Sequence, residues 1–398
     1  MRTAPLRTDN VREVSRVGQI RDEMEPRIAQ LMDLKLARRE TGPYRVANSQ
    51  ELEVRLAAML PAIGQDNARL TSFGRMPGGA SKEQFFFAVD RGGGEEERLV
   101  LRVDPLEAIV ETCRYREAEV LNALRGIVPL AQVRFVDGDG SKLGAPSMAT
   151  TFVNGVTKPP SDGNLTISGV GTSFNAAWRE RLLPQFLGNL TAIHKFDWRK
   201  ADLPHFSAPL DFPGQAALWQ VNWWTRVWRE DAVAPYPMLT LAEQWLRRNL
   251  PECREPVLVH GDFRTGNFMF DAETGEMTAV LDWELAHIGD FHEDLAWILQ
   301  RLFATPAETG ELMACGLITR EGLIKAYESA TGSTVNRRTL AFYEILCAFK
   351  CAAMNLGTGS GIAARGNNHQ DVLLSWMAPV GHVFCNEIAR LISEEMAS

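Results

Sequence analysis

Three polar residues stand at spacings that suit the transfer of a phosphoryl group: Asp262, Asn267 five positions on, and Asp282. In that chemistry one carboxylate orients an acceptor hydroxyl and takes its proton. An amide oxygen and a second carboxylate hold Mg²⁺ against the phosphates of a nucleotide such as ATP. A single Asp or Asn in a loop is commonly a turn residue bonded to its own backbone. Three at these spacings, with His260 and Gly261 immediately before the first, favour the chemical role.

Short apolar runs must position them. Residues 257–259 read as a strand that delivers His260, Gly261 and Asp262 onto a loop closing at Asn267. Residues 268–270 leave the loop as a second strand, 271–275 have turn composition, and 278–281 return as a strand ending at Asp282. The unit thus gathers its polar residues at strand ends. Downstream, Asp290 and Asp294 flank a helix start, where capping and bracing of the loop are expected of them rather than metal binding.

The 398 residues suffice for two domains or one large bilobal unit with a substantial core. A net charge of −8 disfavours nucleic-acid and anionic-membrane partners. No uninterrupted apolar run has the length of a bilayer span, and the N-terminus lacks the apolar core of a secretory signal. Six cysteines without C-x-x-C or zinc spacing point to a reducing, cytoplasmic setting.

Along the chain, residues 1–45 form an N-terminal arm in which Val17, Ile20, Met24, Ile28 and Leu31 recur at helical spacing, with Pro26 breaking in. The arm is expected to dock on its own chain; a homodimer through it stays open. A helix over 49–60 precedes strands at 70–73, 85–89 and 98–103, and strands at 131–136 and 146–153 complete a five-stranded sheet. The turn Gly78-Gly79-Ala80-Ser81 has the small residues that let a backbone, or the Ser81 hydroxyl, approach phosphate. A helix is expected over 107–124. The loop 158–163 marks the boundary between a mixed lobe over 46–155 and a mostly helical lobe over 156–398. In the second lobe His194 reads as a core histidine, and Trp219, Trp223, Trp224 and Trp228 read as packing between helices. Residues 357–371 read as a flexible loop that either closes over a substrate with Arg365 or His369 in contact or is only an exposed connection.

H-G-D-F-R-T-G-N followed by D-W-E resembles the aminoglycoside phosphotransferase and choline kinase superfamily, and most of all the kinase domains associated with acyl-CoA dehydrogenases. The resemblance spans roughly residues 65–300 at motif level. It implies an α+β, bilobal protein-kinase-like fold, with a five-stranded antiparallel sheet in the N-terminal lobe and ATP in the cleft. It further implies transfer of the γ-phosphoryl to a small molecule's hydroxyl. Asp262 would be the base, Arg264 would balance charge on the moving group, and Asn267 and Asp282 would hold Mg²⁺. Ser81 and Arg102 would meet the nucleotide phosphates, with Arg102 paired to Glu117 or its competitor Glu119. Backbone groups from Thr151 to Val153 would meet the base. The implied acceptor is a hydroxyacyl-CoA, for which Arg179, Arg181, Arg226 and Arg229 are candidate contacts. An aminoglycoside or choline-type acceptor, and a nonenzymatic nucleotide-binding scaffold, are the alternatives.

Overall fold

The computed structural model describes residues 20–61, 68–76, 81–92, 96–159 and 170–397. Gly78, Gly79 and Ala80 of the small-residue turn, Pro160 to Gly163 of the expected boundary loop, and Val17 of the arm lie outside these residues. Helix α1 (Pro26–Arg39) and helix α2 (Ser49–Met59) lead into five strands, β1 (Arg69–Arg75), β2 (Glu83–Asp90), β3 (Glu96–Val103), β4 (Val133–Asp137) and β5 (Ser147–Thr151). The strands form one antiparallel sheet in the order β1-β2-β3-β5-β4.

Alternation assigns the two faces of this sheet. Phe85, Phe87, Val89, Leu99, Leu101 and Val103 share one buried face, which α2 covers with Leu52, Leu56 and Met59. Arg102 must therefore point from the other face, where its register partners are Gln84 and Met148. Helix α3 (Arg114–Ala123) lies between β3 and β4 in the chain and sends Val120, Leu121 and Leu124 into the larger core of the second lobe. The helix expected over 107–124 thus forms only from Arg114. Pro105 stands near the start of the preceding segment, and ion pairs rather than a helical ladder fix its course, as described below.

The second lobe is mostly helical. Helices α4 (Ala176–Lys195), α5 (Gln215–Asp231) and α6 (Pro237–Arg248) precede two small antiparallel pairs, β6 (Val257–Val259) with β9 (His287–Gly289) and β7 (Phe268–Phe270) with β8 (Met277–Val280). Helices α7 (His292–Ile298), α8 (Arg320–Thr331), α9 (Arg337–Ala352), α10 (Ser360–Arg365), α11 (Asp371–Met377) and α12 (Val380–Ala397) follow. Trp223, Trp224 and Trp228 are buried in the core of this lobe, the packing role expected of them. The whole is the bilobal α+β architecture that the resemblance implies.

Pro26 breaks the helical spacing as a late start rather than a kink: it opens α1, where its missing N–H costs nothing. One stretch departs from expectation. Residues 357–371 are not a loop throughout, because a π-helical turn, Ala353–Gly359, carries α9 into α10 as far as Arg365. The glycines that suggested flexibility serve close approach instead: a Cβ on Gly361 would lie 3.0 Å from the Asp231 carbonyl oxygen. By length and composition the stretches Arg337–Arg365 and Asp371–Ala397 could cross a membrane. In the first, 89% of the apolar window is buried inside the protein, as in a core helix; in the second only 22% is.

Candidate active site

The loop after β6 is held from beneath by one carboxylate. Asp294 on α7 is fully buried and accepts the backbone N–H groups of His260 and Gly261, each at 2.8 Å, and the Nε2 of His194 at 3.0 Å. Burial alone would raise its pKa, but the bonds from His194 and His260 outweigh that and hold it below the usual carboxylate range. His194 is thus a core residue, as expected, with Tyr327 on its other nitrogen at 2.9 Å. Gly261 has φ +82°, and a Cβ there would sit 2.7 Å from the Leu285 carbonyl oxygen, so the turn requires glycine.

His260 ties the two halves of the motif together. Its Nδ1 accepts the Asp262 N–H at 3.2 Å, so the proton sits on Nε2, which donates to the Leu281 carbonyl at 3.0 Å. Burial keeps this histidine neutral, its pKa lowered despite the nearby Asp294 and Asp262 charges. The loop of Asp262 and the strand end before Asp282 are thereby joined through one imidazole. Leu281 N–H also donates to the Asn267 carbonyl at 2.8 Å, and the Asn267 side-chain Nδ2 donates to the Asp262 carbonyl at 2.9 Å. With its nitrogen so used, Asn267 is left with an amide oxygen as ligand.

Asp262, Asn267 and Asp282 are therefore bonded into one unit, as their spacing suggested. Asp262 Oδ1 accepts the Trp297 indole N–H at 2.5 Å and the Arg264 Nε at 2.8 Å. Asp282 adopts left-handed backbone angles (φ 65°, ψ 56°) at the end of β8, which turns its half-exposed carboxylate out of the sheet. Two hard oxygen donors, one carboxylate and one carboxamide, suit Mg²⁺, which keeps water and phosphate oxygens as its other ligands. No group of three or more His, Cys, Asp or Glu side chains suited to a metal occurs among the described residues. Such a cage is not what this ion requires.

Arg102 bridges to that unit from the other lobe. Its guanidinium bonds Glu117 and, at 3.3 Å, the Asp282 carboxylate. Burial opposes its charge, but Glu117 and Asp282 outweigh burial and raise its pKa. Of the two glutamates left open by the sequence, Glu117 makes this pair, while Glu119 turns to His205 and accepts its backbone N–H at 3.1 Å. Helix phase separates them, since positions two apart face different sides. Ser81 donates to Glu284 of D-W-E at 3.2 Å, a contact across the cleft. Burial first, and Asp282 beside it, push Glu284 up to about 7. At the lobe connection, the Thr151 N–H and hydroxyl are both engaged with Gln132, at 2.9 Å each, and Val153 lies two residues beyond. Of this pair, then, Thr151 has its N–H committed to the sheet.

The cationic candidates for an anionic acceptor are engaged elsewhere. Arg179 pairs with Glu308 at 2.6 Å, Arg181 bonds the Glu273 carbonyl at 3.2 Å, Arg226 pairs with Asp33 and Glu230, and Arg229 pairs with Glu243 at 2.9 Å. Arg365 bonds Glu107. Three residues around the site escaped the sequence reading. Trp297 stands one helical turn after Asp294, a spacing that places both on the loop's side of α7. Lys350 is buried and donates to the Gly261 carbonyl at 2.9 Å; a charge within the apolar run 345–352 of α9 was the available signal. Lys82, also buried, lies 3.6 Å from Asp104 and 3.9 Å from Glu284, and only the fold brings these together.

The model of the phosphotransferase enzyme family, APH, matches residues 73–330, and the chain belongs to that family. That family is one of phosphotransferases. Acyl-CoA dehydrogenase family member 10 of Mus musculus is 31% identical over 206 residues, 51% of this chain and 18% of that protein. Acyl-CoA dehydrogenase family member 11 of Mus musculus is 26% identical over 352 residues, 84% of this chain and 42% of that protein. The chain thus spans less than half the length of these relatives. Among solved structures, a thermostable variant of the aminoglycoside phosphotransferase APH(4)-Ia, in complex with ADP and hygromycin B, shares the fold. Its TM-score is 0.53 at 17% identity, over 84% of this chain and 97% of that one.

Proposed function

We propose that this chain moves the γ-phosphoryl of ATP, with Mg²⁺, onto a hydroxyl of a small molecule, and that the acceptor is a hydroxyacyl-CoA. The observation that carries the phosphotransfer reading is the Asn267 amide bonded to the Asp262 carbonyl, which joins the base, one metal ligand and, through Leu281, the strand end of the other. Asp262 Oδ1 is held by Trp297 and Arg264, so the acceptor's proton falls to Oδ2. The acceptor oxygen bonds to the γ-phosphorus as the bond to the β–γ bridging oxygen breaks, and ADP leaves. An aspartate is too weak a base to ionise an alcohol beforehand; its main work is to aim the oxygen in line. Arg264 and Arg102 offset negative charge on the moving group and the nucleotide. Asn267 and Asp282 would hold Mg²⁺, which would supply neutralisation of the phosphate oxygens.

The names of the relatives support a CoA ester as acceptor. The free cysteines support a cytoplasmic setting. The lobes over 46–155 and 156–398 are proposed as the nucleotide and acceptor halves. A homodimer through the arm would use the exposed side of α1, where Leu34 is 60% exposed. The test is a thermal-shift series on the full chain with Mg-ATP and a panel of hydroxyacyl-CoAs, aminoglycosides and choline, followed by product mass. A mass gain of one phosphoryl group on a hydroxyacyl-CoA, lost in Asp262→Asn, is the expected result. Phosphorylation of an aminoglycoside or choline alone would replace the acceptor, and nucleotide binding without any product would leave a nonenzymatic scaffold.

A further inference from the structure

The N-terminal arm meets both lobes at a buried carboxylate that the chemistry above does not use. Glu107 is fully buried in the irregular segment 104–113 that joins β3 to α3. It accepts Arg39 Nε of α1 at 2.7 Å, Arg365 Nε and Nη2 of α10 at 2.9 and 3.0 Å, and Asn367 Nδ2 at 2.7 Å. Its backbone is held as well: Glu107 N–H donates to the Asn367 carbonyl at 3.1 Å, and Asn368 Nδ2 donates to the Glu107 carbonyl at 2.8 Å. Two distant parts of the chain, the arm and residues 365–368, thus converge on one residue.

The arm is itself anchored to the second lobe. Lys35 and Arg39 both bond Asp231 at the end of α5, which also accepts the Thr358 hydroxyl at 2.6 Å. Further along the segment, Arg38 pairs with Glu111, and Glu111 accepts the Ala108 N–H at 3.0 Å. The next contacts belong to the nucleotide side. Lys82 donates to the Val110 carbonyl at 3.4 Å, and Arg114, the first residue of α3, bonds Glu117 at 2.5 Å. Glu117 in turn holds Arg102.

A buried ion cluster is a poor source of net stability, since desolvation consumes most of the attraction. Its attested use is to specify one arrangement over others. A segment without helix or strand has no ladder to fix its path, so here the ion pairs fix it. We infer that Glu107 is a positioning residue for the nucleotide site: by pinning segment 104–113 to the arm and to α10, it sets where α3 presents Glu117 to Arg102. This rests on the nucleotide-binding reading above and adds to it a device spanning both lobes.

The test is a double-mutant cycle on the full chain, with Mg-ADP affinity measured by calorimetry and thermal stability measured beside it. Glu107→Gln keeps the shape and removes the charge, and it should weaken Mg-ADP binding about tenfold. In a Glu117→Gln background the same change should weaken binding less than twofold, because the residue through which Glu107 acts is already disabled. Stability, in contrast, should fall by the same amount in both backgrounds. Equal weakening of Mg-ADP binding in both, or none in either, overturns the inference. Should Glu107→Gln not fold, Arg365→Lys keeps the charge, loses the fork and carries the same cycle. A wild-type chain that binds no Mg-ADP would sink the nucleotide reading itself, a result distinct from any outcome of the cycle.

Discussion

Asp294→Ala is the sharpest probe of how the Asp262 loop is held. The substitution strands three buried donors: the N–H groups of His260 and Gly261 at 2.8 Å and the His194 Nε2 at 3.0 Å. Each buried unsatisfied donor costs roughly 1–3 kcal/mol, so three give about 3–9 kcal/mol before relaxation. Water entering the gap offsets part of this, which leaves about 3–5 kcal/mol, the usual cost of removing one partner from a buried charged network. That is a large share of the roughly 5–15 kcal/mol by which folded domains are stable. Asp294→Asn should cost less. Its oxygen can still accept the Gly261 N–H, and His194 can change tautomer and accept the Asn nitrogen, since Tyr327 serves equally as acceptor or donor. Only the His260 N–H then lacks an acceptor, about 1–3 kcal/mol. Urea unfolding followed by tryptophan fluorescence gives both values. The reasoning fails if Asp294→Ala costs under about 1 kcal/mol, or if the Asn variant is as damaged as the Ala variant.

Further outcomes follow from the same geometry. The Asp294 pKa is depressed in the folded state, so its contribution is complete above the unfolded carboxylate pKa of about 4 and is lost as pH falls through the folded value. The stability gap between wild type and Asp294→Asn should therefore narrow in acid urea melts, and a gap that persists unchanged to about pH 2 would contradict this. Gly261→Ala forces a Cβ to 2.7 Å from a backbone oxygen at φ +82°. It should lower the unfolding free energy by at least about 2 kcal/mol, and a wild-type urea midpoint would rule out the strain argument. Asp282→Ala should remove the Mg²⁺ dependence of nucleotide affinity in calorimetry, whereas retained Mg²⁺ dependence would reassign the ligand.

The site was legible where its parts are close in sequence. His260, Asp262 and Asn267 lie on one loop and Asp282 ends the next hairpin strand, so local strand and turn signals sufficed to group them. Arg102 was legible only through its place in a family pattern, and choosing Glu117 over Glu119 required the actual rotation of α3. The supports were hidden for a physical reason: Lys350, Lys82 and Glu107 act through partners 89, 202 and 258 residues away, respectively Gly261, Glu284 and Arg365. No periodicity encodes such pairings. The glycines of 357–366 misled for the opposite reason, since glycine signals both a flexible loop and a tight helix crossing, and only the neighbour at Gly361 decides between them.

The pairing of the arm has a consequence for how the chain folds during its synthesis. Lys35 and Arg39 leave the ribosome well before Asp231, their shared acceptor, and Thr358 and Arg365 join the cluster later still, so the arm's cations wait in water until the second lobe is made. A fragment trimmed to residues 73–330 would lose α1, Thr358, Arg365 and Asn367 together, leaving Glu107 and Asp231 without the partners that hold them. The family-matched middle of this chain is therefore not a unit that closes on its own.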